Sequence, residues 1–262
     1  GIPMLGLGTF RNTDPVQCAE SVQTALDLGY RHIDTAQMYG NEAAVGEGIT
    51  DSSVDPAEVF VATKLWHDSL HPEDVTKAGR VSRSRLGVQS IDLLYVHWPA
   101  NTYDPDSTLP AFADLVDSGV INRIGVSNFT PELLDEAIDV LGSGAIVANQ
   151  VELHPLLQQR EIRAHAERND IQLVAYSPIA KGRVSDLPEL REVAARHDAT
   201  PAQVSLAWLR ENDIVAIPKA TGAAHIRENW RSLDVALTEE DMALIRSIDR
   251  ENRLVEPAFA PW

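Results

Sequence analysis

Short apolar runs rich in β-branched residues alternate with stretches whose apolar positions recur at a spacing near ~3.6, from the start of the chain to its end. The strand-like runs are 4–9, 30–35, 59–65, 91–98, 121–127, 146–153, 171–176 and 214–218. Helical stretches between them carry start signals at Asp14-Pro15, Asn41-Glu42, His71-Pro72-Glu73, Thr130-Pro131-Glu132, Thr200-Pro201 and Thr238-Glu239-Glu240. An Asp, Asn or Thr at such a place can accept from a free backbone N–H of the first turn. A following Pro removes a donor that would have had no partner. Strands followed throughout by helices are the cadence of a closed parallel barrel, so a single α/β domain, a (β/α)8 barrel over residues 1–262, is expected. An open doubly wound sheet shares this alternation but usually carries a Gly-rich phosphate loop after its first strand. Here Gly6-Leu7-Gly8 runs into Thr9-Phe10-Arg11 without the third glycine, which favours the barrel.

In such barrels functional groups collect at the C-terminal ends of strands. Asp34 ends the second strand-like run, Lys64 lies at the end of the third and His97 at the end of the fourth, with Tyr39 a short turn beyond Asp34. Singly, each has a structural explanation: a hydrogen-bonding Asp, a surface Lys, a satisfied core His. Together on adjacent strand ends they suit delivery of hydride to a carbonyl, which needs an acid for the developing alkoxide. A free tyrosine holds its proton with a pKa of about 10. A nearby ammonium favours phenolate, so Lys64 is expected to lower the Tyr39 pKa, with Asp34 holding Lys64 and His97 orienting the substrate oxygen.

These residues sit in motifs that resemble the aldo-keto reductase superfamily along essentially the whole chain. The motifs are Gly29-Tyr30-Arg31-His32-Ile33-Asp34-Thr35-Ala36 continuing to Tyr39-Gly40-Asn41-Glu42, Ile91 to Pro99, Ile124-Gly125-Val126-Ser127-Asn128-Phe129, and Ile217-Pro218-Lys219. The resemblance implies a nicotinamide-dependent reductase with Asp34, Tyr39, Lys64 and His97 as catalytic tetrad and Tyr39 as general acid. It further implies that Ser127, Asn128 and Gln150 hold the carboxamide and that the nicotinamide stacks on Tyr176. Lys219, Thr221, His225, Glu228 and Asn229 fall on the adenosine-phosphate loop and the helix after it. Two positions depart from the family pattern: Ala220 stands where serine is usual, and His225 where arginine is usual. A neutral histidine lacks the fixed charge and planar fork of arginine. NADPH is therefore the expected cofactor, with NADH or dual use open.

Phe10, Met38, Trp66 and Trp98 are expected to wall the substrate site above the nicotinamide. Short later loops make the chain similar to the microbial branch that includes 2,5-diketo-D-gluconate reductases, and a small-molecule carbonyl compound is the expected partner. A cofactor-holding regulatory module of the same superfamily is the competing reading. A metal-dependent hydrolase is disfavoured, because the histidines form no His-x-His pair at a strand end and Lys64 would compete with a metal.

Charge narrows the partners. The formal net charge is -17, and the only lysines are Lys64, Lys77, Lys181 and Lys219. Such acidity repels phosphate backbones and excludes a nucleic-acid partner. No apolar run approaches the roughly 20 residues that cross a bilayer, so no membrane partner is expected. Residues Gly1-Ile2-Pro3-Met4 show neither a basic n-region nor an apolar h-region, and Cys18 is the sole cysteine. A monomer in a reducing cytoplasm is the expectation. Acid excess combined with lysine scarcity is expected of a protein from a high-salt, halophilic cytoplasm, where cations screen self-repulsion. The melting temperature should then rise from dilute buffer to molar KCl; a constant value across that range would contradict the reading.

Overall fold

The computed structural model describes residues 1–262. In chain order the elements are β1 (Leu7–Gly8), α1 (Pro15–Leu28), β2 (His32–Asp34), α2 (Glu42–Asp51), β3 (Phe60–Leu65), α3 (Pro72–Leu86), β4 (Leu93–Val96) and α4 (Pro105–Asp117). They continue with β5 (Ile124–Ser127), α5 (Pro131–Leu141), β6 (Ile146–Glu152), α6 (Arg160–Arg168), β7 (Gln172–Tyr176), α7 (Pro188–Arg196) and α8 (Pro201–Glu211). Last come β8 (Val215–Ala216), α9 (Ala223–Trp230) and α10 (Glu239–Arg246). All eight strands lie within the runs expected from the sequence, and each pairs in parallel with the next in order β1 to β8. No helix is long and apolar enough to cross a membrane.

The ring closes between β8 and the segment around β1 through parallel bridges Leu5↔Ala216 and Gly8↔Lys219. Gly6 N donates to Ala216 O at 2.9 Å, Ala216 N to Met4 O at 2.9 Å, and Gly8 N to Pro218 O at 3.1 Å. A Cβ on residue 8 would lie 2.7 Å from Ile217 O, so this seam requires glycine.

Side chains on a strand alternate between faces, and the closed sheet turns that alternation into two cores. Phe60, Ala62, Leu93, Tyr95, Ala148, Val174, Val215 and Ile217 fill the barrel interior. Their neighbours of opposite parity, such as Ile33, Val61, Leu65, Leu94, Val96 and Val126, pack outward in the core shared with the helices. The inward parity, continued to the C-terminal strand ends, brings Asp34, Lys64, His97, Gln150 and Tyr176 to one mouth.

Several start signals act as expected. The side chains of Asp14, Thr130, Thr200 and Thr238 accept from the backbone of α1, α5, α8 and α10. Asn41 precedes α2 but makes no capping bond. Its amide donates to Thr9 O and Asn12 O while Oδ1 accepts from Thr35 Oγ1 at 2.7 Å, tying the first loop to β2.

Asp241, in the first turn of α10, joins that helix to the end of α7. Its carboxylate is buried and accepts from Arg196 Nη1 at 2.8 Å, from Thr238, and lies 2.7 Å from His197 Nε2. Burial opposes the charge, but the hydrogen bonds from His197, Thr238 and Arg196 outweigh it and hold the carboxyl well below the usual carboxylate range. Asp241→Ala is expected to cost about 1–3 kcal/mol of stability, moderated by the partial exposure of Arg196. The folded value lies below the unfolded value of about 3.9, so the contribution is complete at neutral pH and is lost as pH falls through that range. Denaturant titrations should show the gap between wild type and variant narrowing in acid; a gap unchanged between about pH 7 and about pH 3 would contradict the assignment.

Candidate active site

Lys64 is 1% exposed inside the mouth of the barrel. Its ammonium donates in a short contact to Asp34 Oδ1 and at 2.7 Å to Thr35 O. The second oxygen of Asp34 accepts from Gln150 Nε2 at 2.8 Å, so β2, β3 and β6 meet at one carboxylate. Tyr39, on the turn after β2, places its ring centroid 5.3 Å from Lys64 Nζ and 5.9 Å from the ring of His97 at 75°. The four residues expected to act together are therefore brought together.

Their protonation departs from the expectation in one respect. Burial, then the charge of Asp34, push the Tyr39 phenol well above its ordinary value. The Lys64 ammonium, engaged by Asp34 and Thr35 O, does not reverse this direction. Burial outweighs the attraction of Asp34 and lowers the Lys64 pKa from its ordinary value. Burial, assisted by the nearby Lys64 cation, holds His97 well below the usual imidazole range. At neutral pH the site thus offers a protonated phenol and a neutral imidazole, which has one N–H donor and one acceptor.

Ser127, Asn128, Gln150 and Tyr176 form a second polar group beside the first. Ser127 Oγ donates to Gln150 O at 2.8 Å, and Asn128 Nδ2 donates to His97 O at 3.0 Å and Ser127 Oγ at 3.1 Å. Tyr176 Oη donates to Asn128 Oδ1 at 2.9 Å, which fixes the plane of its ring at the mouth. Asn128 holds its place with a left-handed backbone, φ 64°.

These groups border a cavity of about 630 Å³. Asp34, Tyr39, His97, Ser127, Asn128, Gln150, Tyr176 and Lys219 line it, with Phe10, Met38, Trp66 and Trp98 at the outer wall; Lys64 lies buried beneath. Thr221, His225, Glu228 and Asn229 do not line it. The backbone oxygen of Thr221 accepts from Ser21 Oγ at 2.9 Å. On α9, His225 is exposed with Nδ1 3.5 Å from Glu228 Oε2, Glu228 Oε1 accepts from Thr200 Oγ1, and Asn229 is buried.

Two contributions to the cavity were missed in the sequence. Arg11 and Lys181 stand on its rim, and residues 254–257 with Phe259 form part of its wall. Phe259 packs its ring 5.3 Å from Trp98 and 6.1 Å from Trp66. No periodic pattern in the sequence reveals where the segment 254–259 returns.

The aldo/keto reductase family matches residues 4–250. A methylglyoxal reductase DkgB of Yersinia pestis is 40% identical over 259 residues, covering 98% of this chain and 96% of the relative. A 9,11-endoperoxide prostaglandin H2 reductase of Trypanosoma cruzi (strain CL Brener) is 40% identical over 256 residues, covering 97% and 90%. A solved structure provisionally assigned as 2,5-diketo-D-gluconic acid reductase B is similar with a TM-score of 0.94 at 38% identity, covering 99% of this chain and 92% of that one. Fold, strand-end residues and relatives agree: the chain belongs to the aldo/keto reductase family and is an oxidoreductase that reduces carbonyl groups.

Proposed function

We propose that the chain reduces small and medium aldehydes and ketones with NADPH, with Tyr39 as proton donor. The observation that carries this reading is the convergence of Tyr39, His97 and the Asp34–Lys64 pair on one cavity that also holds Tyr176 and Asn128. The residues present fit a nicotinamide: a fixed aromatic face on Tyr176, amides on Asn128 and Gln150, and a hydroxyl on Ser127. When bound, the nicotinamide supplies the hydride. Tyr39 holds the proton that neutralises the alkoxide as it forms, and its raised pKa keeps that proton in place until negative charge develops. Neutral His97 donates a hydrogen bond to the same oxygen and orients the carbonyl. Lys64 and Asp34 set the field in which the phenol gives up its proton.

Lys219 at the cavity edge, with Thr221 or Arg227 nearby in sequence, supports a phosphate-bearing cofactor. Glu228 and Asn229 are assigned to the adenosine end. His225 carries no fixed charge and sits next to the Glu228 carboxylate, so NADH remains a usable second cofactor. The aromatic wall of Phe10, Met38, Trp66 and Trp98 suits carbonyl compounds with apolar bodies. The charge pattern supports a monomeric enzyme of a salty cytoplasm.

Tyr39→Phe is expected to cut kcat by about 10²–10⁴-fold. NADPH affinity, read by tryptophan fluorescence, should stay close to wild type; near-normal turnover in this variant would remove Tyr39 from the acid role. His225→Arg is expected to raise kcat/KM for NADPH about tenfold, one charge-assisted contact, while NADH changes little. Equal effects on both cofactors would place the 2'-phosphate elsewhere.

A further inference from the structure

Strand β6 carries its inward parity two residues beyond Gln150, to Glu152. This carboxylate is fully buried, 0% exposed, at the rim of the barrel and in register with Tyr176 on β7. An ionised carboxylate in such a place survives only where its lone pairs are filled. Glu152 Oε1 accepts from Leu254 N at 2.8 Å and lies 2.9 Å from His154 Nε2, and Oε2 accepts from Val255 N at 2.8 Å. Two consecutive backbone N–H groups of the C-terminal segment therefore close on the two oxygens of one carboxylate.

That segment is part of the cavity wall. Leu254, Val255, Glu256, Pro257 and Phe259 line the cavity, although none belongs to a helix or strand. Away from Glu152 its polar ties are few: Lys181 Nζ donates to Leu254 O at 3.2 Å and Asn252 N to Leu156 O at 2.7 Å. Beyond the latch, Phe259 lies 4.6 Å from the ring of His67 and closes against Trp66 and Trp98. Glu152 does not line the cavity, whereas the residues it holds do.

We propose that Glu152 is a positioning residue for substrate selection: it latches residues 254 and 255 so that Phe259 completes an aromatic wall with Trp66 and Trp98, favouring carbonyl compounds with a bulky apolar or aromatic body. The proposal rests on the carbonyl-reductase reading of the same cavity. The chemistry of the side chain makes it specific. A carboxylate matches two N–H donors with two acceptors, whereas the isosteric amide offers one acceptor and sets N–H against N–H. Glutamate cannot be shortened without drawing the strap inward or losing a bond.

The test compares wild type, Glu152→Gln and Phe259→Ala with NADPH on a small aliphatic aldehyde and a bulky aromatic aldehyde. Glu152→Gln is expected to raise KM for the aromatic aldehyde about tenfold, with about a twofold rise for the small one and NADPH affinity near wild type. Phe259→Ala should reproduce that split, and the double variant should be no worse than the more damaged single variant. Amide hydrogen exchange reads the latch without turnover: the Leu254 and Val255 amides should be protected in wild type and exchange at least tenfold faster in Glu152→Gln. Equal KM rises for both aldehydes, additive losses in the double variant, or unchanged exchange at residues 254 and 255 would overturn the proposal. Failure of wild type to reduce either aldehyde would count against the reductase reading, while the exchange result would still decide whether Glu152 holds the strap.

Discussion

A lysine inside a parallel barrel is costly unless its charge is answered at once, and the answer here organises the site. Lys64 is met by Asp34 and by Thr35 O, and the remaining oxygen of Asp34 is met by Gln150. Removing any member leaves a buried charge or polar group without its partner, which costs several-fold more than the intact pair gains. The Asp34–Lys64 contact joins the neighbouring strands β2 and β3, and the Gln150 bond to Asp34 reaches across the mouth from β6, so the group needs these strands in their barrel register. Closure in turn rests on Gly8, whose missing side chain admits Ile217 O.

The same pair explains why charge on the outside and charge at the mouth follow different rules. The chain carries a net charge of -17, yet Lys64 lies under the cavity and Lys181, Lys219 and Arg11 stand at its edge. Lysine scarcity stops at the site, where three of the four lysines are found. A cationic rim in an acidic surface focuses field lines on anionic ligands and suits the phosphates of a dinucleotide.

Much of this was legible because parallel barrels obey a two-residue alternation. The inward parity shared by Ala62 and Lys64, Tyr95 and His97, and Ala148 and Gln150 lets strand-end chemistry be read from apolar runs. What escaped depended on contacts far apart in the chain. The C-terminal segment meets Glu152 about a hundred residues away, and neither its prolines nor its aromatic residues announce that return. Helix α6 begins after Gln159 in a left-handed conformation, φ 50°, with no side-chain cap, so no start signal marks it. Asn41 stood where a cap belongs but served the first loop. The direction of the Tyr39 shift was misjudged for a related reason: sequence reveals the presence of Lys64 but not how completely Asp34 occupies it.

On the proposed mechanism, Asp34 and Lys64 act as one unit on Tyr39. Single-turnover hydride transfer from NADPH in Asp34→Asn, Lys64→Met and the double variant measures this directly. A unit predicts that the double variant is no slower than the more damaged single variant, because the second substitution removes a partner already lost. Losses that multiply would mean that the two residues contribute independently and would contradict the account.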